Sequence, residues 1–578
     1  MSNGAMLISA ATQRNWGKLN IESSERLKHR ANKSRSEKFV VPDNYICTDG
    51  LDSVIRQIVT CPYCDKDVFY NLCLQKLSFI HDNPNVRRFV SEYKRGVQIR
   101  FDIPDTVLGD VNRDWLGFLY QMRIPEGQRN IRGQYYTNFS ILKDMLSDLV
   151  ILPGQSFFDP CCGTGAFLMN AGAVSLSQLY GVDNDEIAIM IAKANLIALY
   201  PDDDIYPQLF CEDYLEHTVF SSSDVVGKKF DYIYTNPPWG ISKTHQYDSE
   251  IINSGERSSL FFVKAFGQLK DKGHLSFLMP SSLLRIKVHQ DFRSYVMTQA
   301  KIEGISLFNE KFNGVFTDFF SISVSRQNNV DIQSYFVKKG GNVFRINKPI
   351  AENETEIALN CSADQEILDL IDKRGNDNLS DSIWALGIVT GDNKNKLKKE
   401  MEKGYEAIYT GKDICKYSLN SPSNYILYDR SQLQQCAKDE YYRSTEKLVY
   451  KFISKSLCFA YDNSSSLFLN SANILIPRIE GMSIKTVLAF LNSDLFSYYY
   501  SKRYSDIKIL KGNLQTLPFP KITCQQNVDI SEMVDKVLAG EKQYVERIND
   551  YILSLYDFSS SIVNKIKNEI YGNAYLSA

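Results

Sequence analysis

Three short apolar runs in the middle of the chain constrain its fold more than any other feature. Phe157-Phe158, Leu179-Tyr180-Gly181-Val182 and Phe230-Asp231-Tyr232-Ile233-Tyr234 are too short for helices, and they read as buried strands. Between the second and third lies Glu186–Leu199, an apolar-rich helical segment. Strands buried on both faces read as nearly continuous apolar runs, because there is no solvent face to alternate with. From Gly133 to about Gln327, strands alternating with helices therefore predict an α/β fold, a sheet with helices on both faces.

The ends of these strands carry the chemistry. Phe157 to Phe167 reads as strand, glycine turn, helix, through Asp159-Pro160-Cys161-Cys162-Gly163-Thr164-Gly165. Gly163 and Gly165 let the backbone approach a ligand where a Cβ would collide. Many strand–turn–helix junctions contain such a pair, so the neighbours decide its meaning. The next strand ends at Asp183, where an acidic residue can hold both ribose hydroxyls of a nucleoside. One strand later comes Cys211-Glu212-Asp213-Tyr214, and Asp213 can accept from an adenine amino group. No third glycine completes a dinucleotide fingerprint, and no lysine follows the turn to meet a triphosphate. A nucleoside without phosphates fits better.

The strand Phe230–Tyr234 runs into Thr235-Asn236-Pro237-Pro238-Trp239. Two consecutive prolines cannot continue a ladder, so the strand stops in a stiff turn. Such a turn fixes the Asn236 carboxamide and the Pro237 carbonyl as neighbouring acceptors. Those match the two N–H donors of a planar amino group, and Trp239 offers a flat face for an extruded base. A stiffened loop around a buried Trp would carry the same residues, but not beside the glycine turn and two carboxylates.

In this order, Asp159 to Gly165 followed by Asn236-Pro237-Pro238-Trp239 resembles the amino-methyltransferases of restriction–modification systems. Gly133-Gln134-Tyr135-Tyr136-Thr137 resembles their first cofactor motif, and the whole is similar to the gamma group of DNA adenine-N6 methyltransferases. That family usually has Tyr where Trp239 stands. The resemblance covers residues 130–330 well, and extends weakly to 491–496 and 510–520, which look like its C-terminal recognition domain. It implies a Rossmann-like methyltransferase sheet with S-adenosylmethionine as cofactor. Tyr136 and Thr137 would lie against that cofactor, Asp159, Gly163 and Gly165 around its methionine part, Asp183 on the ribose and Asp213 on the adenine. Asn236 and Pro237, with Pro238 behind them, would hold the target amino group. Trp239 would stack on one face of the base and Phe316 on the other, with Phe319 in reserve. The implied activity is site-specific methylation of N6 on a flipped adenine in duplex DNA. A cognate restriction endonuclease is the further partner implied.

A chain of 578 residues needs two or three domains. The expected division is a helical N-terminal region over 1–130, the catalytic domain over 131–345, and an α+β target-recognition domain with C-terminal helices over 346–578. Phe69, Cys73, Leu77 and Ile80 recur at helical spacing in the first part. In the last, Met533, Val537, Tyr544, Ile548 and Tyr551 form a stripe in a helical tract from Asp529 to about Tyr571. The tail's Tyr441, Tyr442, Arg443, Lys447, Lys451, Lys455, Lys502, Arg503, Lys508 and Lys511 suit phosphate and base-edge contacts. A net charge of −2 does not announce a nucleic-acid binder, but a local groove matters more than the total. The basic stretch from Arg14 to Lys38 reads as a solvated terminus or as a phosphate-contacting arm.

Twelve scattered cysteines without a secretion signal point to reduced thiols in a cytoplasm. Cys61 and Cys64 form one C-x-x-C without the second pair a structural zinc needs, so no metal is expected. Carbon-5 cytosine methylation would need a Pro-Cys nucleophile, and none stands at this turn. Still open are cytosine N4 or RNA adenine as the target and the N5 of a protein glutamine. A bifunctional nuclease, through Pro42-Asp43 and Glu92-Tyr93-Lys94, and a catalytically silent DNA-binding module also remain. The long segment after Ile350 has no task in a protein-glutamine enzyme, and the intact Asn236–Trp239 turn argues against a silent module.

Overall fold

Phe157 and Phe158 point to opposite faces of one strand, β1 (Phe157–Asp159), and both are fully buried. Phe157 packs with Leu168 and Leu179 on one side, and Phe158 stacks on Phe230 at 4.4 Å on the other. A strand covered on both faces belongs in the middle of a sheet. The computed structural model describes residues 51–125, 137–216, 227–241, 249–308, 318–327, 332–349, 356–454, 456–504 and 508–575. They divide into two compact units, one ending at Cys361 and the other beginning at Ser362.

In the first unit the sheet continues with β2 (Leu179–Asp183), β3 (Gln208–Cys211), β4 (Phe230–Thr235) and β5 (Leu269–Pro280). After these come β6 (Lys301–Leu307), β7 (Phe319–Ser325), β8 (Ile332–Lys339) and β9 (Asn342–Pro349). Among the described residues the order across the sheet is β3-β2-β1-β4-β5-β7-β6-β8-β9. β1 to β5 run parallel, and β7 lies antiparallel between β5 and β6. The strand order reverses between β1 and β4, which opens a crevice at their carboxyl ends.

Helices α1 (Leu51–Thr60), α2 (Asp65–Leu77), α3 (Pro84–Tyr93) and α4 (Trp115–Arg123) precede the sheet. α5 (Phe139–Met145), α6 (Ala166–Asn170), α7 (Glu186–Leu199), α8 (Arg257–Gly267) and α9 (Gln290–Gln299) lie between the strands or just before them. α7 is apolar all round because it is covered all round. Ile189, Ala192 and Leu196 pack towards the sheet, while Met190, Ile191, Ala194 and Ile197 pack against the core of α1 to α4. Phe69, Cys73 and Leu77 of the N-terminal stripe are buried in that second core.

The second unit begins with α10 (Ser362–Arg374) and holds two four-stranded sheets. One is antiparallel, in spatial order Ile383–Ala385, Ala472–Ile476, Lys447–Lys451 and Phe459–Asp462. α11 (Ile484–Asn492) and α12 (Asp494–Arg503) follow, then α13 (Cys524–Leu538), α14 (Tyr544–Ser554) and α15 (Ser560–Tyr575). The expected C-terminal helical tract is thus three helices. The first break is set by Gly540, at φ +100°, where Gly540 N donates to Val537 O and Glu541 N to Lys536 O. These two bonds close a helix end on a left-handed residue.

Several tail residues expected to meet DNA are instead interior, a correction to the sequence reading. Lys447 is wholly buried and paired with Asp462 at 2.6 Å, and its ammonium also donates to Tyr442 O at 2.7 Å. Lys502 pairs with Asp364 at 2.8 Å and also with Glu569, while Arg503 pairs with Asp372. Tyr442 is buried, its hydroxyl on Leu386 O at 2.9 Å. A buried ammonium needs such partners, and sequence spacing does not reveal them. Lys508 and Lys511 are exposed, Lys451 is half-buried, and Lys455 lies outside the described residues. Among the described residues no helix is long and apolar enough to cross a membrane.

Candidate functional site

Four parallel strands deliver one polar group each to the crevice. β1 ends at Asp159, β2 at Asp183, β3 leads into Asp213, and β4 leads into Asn236. All four line one cavity of about 690 Å³, together with Thr137, Gly163 and Pro238. Gly165, Pro237 and Trp239 lie beside this lining rather than in it. Tyr136 and Phe316 lie outside the described residues.

The glycine turn closes through Cys162 N to Val182 O at 2.9 Å and Gly165 N to Cys162 O at 2.8 Å. Gly163 and Gly165 both take left-handed φ values, +51° and +94°. No protein atom lies within 4 Å of where a Cβ on Gly163 would stand, so a ligand meets bare backbone there. Gly163 N donates to Asp183 Oδ2 at 2.9 Å, and Asp185 N to Asp183 Oδ1 at 2.9 Å. Burial nevertheless pushes the Asp183 carboxyl up to about 6, outweighing these bonds.

Asp159 is only 1% exposed. Its Oδ1 accepts from Thr235 Oγ1 at 2.6 Å and Cys161 N at 3.0 Å. Its Oδ2 is buried without a hydrogen-bond partner. Burial pushes this carboxyl up to about 7; the bonds from Thr235 and Cys161 oppose the shift and the charge of Asp183 adds to it. An orphaned, buried carboxylate oxygen facing a cavity is poised for a cation. Glu212 also lines the cavity, and its Oε2 too is buried without a partner.

The proline turn is held at both ends. Asn236 Nδ2 donates to Thr137 Oγ1 at 3.1 Å, which orients the carboxamide. The Trp239 indole N–H donates to Leu278 O at 3.1 Å, and its ring lies tilted on Phe319 at 5.9 Å. Phe319 is itself 1% exposed, so the reserve choice for base stacking is a core residue beneath Trp239. Beyond the turn, Arg257 Nη2 donates to Trp239 O at 2.7 Å and Gly240 N donates to Glu256 Oε1 at 2.7 Å. Sequence reasoning missed Glu256 and Arg257, because an acid–base pair before Leu260-Phe261-Phe262 looks like an ordinary helix start.

The cavity's remaining wall was also missed. Asp65, Lys66, Tyr120, Gln121, Arg123 and Ile124 come from the N-terminal helices and their connections. The Cys61–Cys64 loop is tied to this wall by Arg123, which donates to Cys61 O at 3.0 Å and Tyr63 O at 2.6 Å. Among the described residues no group of three His, Cys, Asp or Glu could hold a metal ion.

The N-6 DNA Methylase family model matches residues 111–377, and the TaqI-like C-terminal specificity domain matches 406–519. The chain is 29% identical over 322 residues to the Type II methyltransferase M.VspI of Vibrio sp. (strain 343), covering 53% of this chain and 76% of that protein. It is 28% identical over 186 residues to the Type I restriction enzyme MjaIX methylase subunit of Methanocaldococcus jannaschii, 31% of this chain and 30% of that one. Among solved structures, the Type IIL restriction-modification enzyme MmeI in complex with DNA aligns with a TM-score of 0.57 at 13% identity. That alignment covers 78% of this chain and 80% of that one, a likeness of fold.

Proposed function

Because residues 111–377 match the N-6 DNA Methylase family model and residues 406–519 the TaqI-like C-terminal specificity domain, and the chain is similar to a Type II methyltransferase, we propose that it methylates N6 of an adenine flipped out of duplex DNA, with S-adenosylmethionine as donor. The observation that carries this reading is Asn236. It directly follows a parallel strand, sits on a turn stiffened by Pro237 and Pro238, and opens on the cavity that Asp159, Asp183 and Asp213 also line.

The residues present fit the cofactor. The ammonium of its methionine part is the donor that Asp159 Oδ2 lacks. Gly163 leaves room where a side chain would block it. Asp183 accepts from the ribose hydroxyls and Asp213 from the adenine amino group, with Tyr136 and Thr137 along the edge. When bound, S-adenosylmethionine supplies a methyl group on a sulfonium, an excellent leaving group.

The chain's own contribution is orientation. An adenine amino nitrogen is a poor nucleophile, since its lone pair is delocalised into the ring. The Asn236 carboxamide oxygen and the Pro237 carbonyl accept its two N–H bonds, favour pyramidal nitrogen, and aim the lone pair in line. Thr137, by holding the Asn236 amide nitrogen, keeps the oxygen towards the substrate. Trp239 and Phe316 stack on the extruded base, whose removal from the helix costs a few kcal/mol. Residues after Ser362 recognise the DNA sequence, and a restriction endonuclease cutting the same sequence is the partner, both acting in the cytoplasm.

Sequencing with detection of modified bases, on DNA from a host expressing this protein, tests the reading. N6-methyladenine at every copy of one short motif is the expected result. Unmodified DNA, or N4-methylcytosine instead, overturns it.

A further inference from the structure

Helix α4 presses one face against loops that border the nucleoside pocket, and Tyr120 on that face lines the pocket itself. Asp114, its N-cap, and then Gly117 and Tyr120 follow at intervals of three, which stacks them along one side of the helix. The Asp114 carboxylate is buried and saturated. Its Oδ1 accepts from Gly117 N at 2.9 Å and from Asn195 Nδ2 of α7 at 2.7 Å, and its Oδ2 accepts from the Thr164 hydroxyl of the glycine turn. A Cβ on Gly117 would stand 2.1 Å from Asp114 Oδ2 and 2.2 Å from Thr164 Oγ1. Glycine is what lets the helix touch the turn. Tyr120 donates its hydroxyl to Asp185 Oδ2 at 2.7 Å. The other oxygen of Asp185 caps α7 at Ile187 N, 3.0 Å, and its backbone N–H holds Asp183 Oδ1 at 2.9 Å.

Two of the loops that border the pocket are therefore gripped from the same helix. The turn 160–165 is held through Thr164 by Asp114, which the absence of a Cβ on Gly117 lets approach, and the loop 183–186 is held through Asp185 by Tyr120. Simple packing of N-terminal helices on α7 would be satisfied by the apolar contacts of Phe118 and Leu119 in that core. It does not call for a buried carboxylate, a missing Cβ and a hydroxyl aimed at the two ligand-facing loops.

We propose that Asp114, Gly117 and Tyr120 are positioning residues that hold both loops in the shape that binds S-adenosylmethionine. This inference rests on the reading of the cavity as the cofactor site. It gives the N-terminal helices a task in methyl transfer itself, separate from any contact with DNA.

The test uses the full-length protein and Tyr120→Phe, which removes the hydroxyl but keeps the ring edge-on to Phe69 at 5.0 Å. Calorimetric titration with S-adenosylmethionine and steady-state methylation of duplex DNA are measured with the cofactor-free melting temperature. Kd and KM for the cofactor should rise about tenfold, as expected if the loop 183–186 then keeps the binding shape only about a tenth of the time. The kcat at saturating cofactor and the KM for DNA should stay within about twofold, and the melting temperature within about 2 °C. Gly117→Ala, where it folds, should raise the cofactor KM further. Unchanged cofactor affinity in Tyr120→Phe overturns the inference, as does a change that moves kcat and DNA KM equally. A wild-type protein that fails to bind S-adenosylmethionine overturns the cavity's reading, and that result appears in the wild-type arm alone.

Discussion

The proton on Asp159 should decide how tightly this protein holds its cofactor near neutral pH. In the cofactor-free protein burial pushes the carboxyl up to about 7, so it is half protonated at that pH. Only the ionised form gives the ammonium of S-adenosylmethionine a full charge partner at Oδ2. A group protonated before binding and ionised after it makes affinity fall tenfold per pH unit below its free-protein pKa. Between pH 7 and pH 5.5 the Kd should therefore rise about sixteenfold, near 1.6 kcal/mol, through Asp159 alone. Asp183, pushed up to about 6, steepens the slope only at the acid end of that range. Above about pH 8 the cofactor's own amino group begins to lose its proton, so affinity peaks near pH 7.5. Calorimetry at pH 6.5, repeated in buffers of different ionisation heat, should detect release of somewhat less than one proton per cofactor bound. Asp159→Asn should weaken binding at pH 7.5 and flatten the profile between pH 6.5 and 7.5. A wild-type Kd constant within twofold from pH 5.5 to 7.5 refutes this reasoning. An unaltered slope in Asp159→Asn transfers the titration to another group.

Asn236→Ala should bind cofactor and duplex DNA normally yet lose more than tenfold in single-turnover rate, because its hydrogen bond strengthens as the amino nitrogen pyramidalises; rapid-quench methylation assays read this directly. A protein truncated after Cys361, at the boundary between the compact units, should still bind S-adenosylmethionine but lose sequence-specific methylation. Retained specificity would move recognition to the N-terminal helices. In the second unit burial alone would raise the Asp364 carboxyl, but hydrogen bonds from Lys502 and Lys565 hold it down at about 2. A depressed carboxyl stabilises the fold above its unfolded pKa near 4, and that stability is lost as pH falls towards 2, about 2 kcal/mol in all. Urea melts at pH 5 and pH 3 should show about half of this loss, about 1 kcal/mol, in wild type and little of it in Asp364→Asn.

The local parts of the fold were legible in the sequence because their signals are local. Phe157-Phe158 reads as a strand buried on both faces because both neighbours in sequence are large and apolar, and the structure covers both faces. Glu186–Leu199 is a helix between those bounds because Asp185 can cap it and no breaker follows before Tyr200. The acidic or amide groups at four strand ends could be foreseen from the strand pattern and the resemblance. Parallel order then carries all of them to one rim. What composition could not tell is which cations in the tail are free. Lys447 and Lys508 look alike as letters, yet one is buried against Asp462 and the other exposed, and only the tertiary partner separates them.

The clamp of α4 was illegible for a related reason. Asp114 meets Thr164 across 50 residues, and Tyr120 meets Asp185 across 65. Read locally, Asp114 is a helix cap, Gly117 a weak spot in a helix, and Tyr120 an aromatic on an apolar face. Each bland reading is true as far as it goes, since Asp114 does cap α4 and Tyr120 does pack on Phe69. The glycine was the one local misfit, because a mid-helix Gly loses up to about 1 kcal/mol relative to Ala. Such a residue persists where a side chain would do greater harm, and here its Cβ would overlap the Asp114 carboxylate and the Thr164 hydroxyl of the glycine turn. In this chain the glycine three residues after a capping carboxylate and three before a tyrosine marks a helix face pressed against that carboxylate and the hydroxyl of a turn residue. That turn residue, Thr164, also lines the cavity proposed for the cofactor, so the misfit in the helix and the shape of the cavity have one cause.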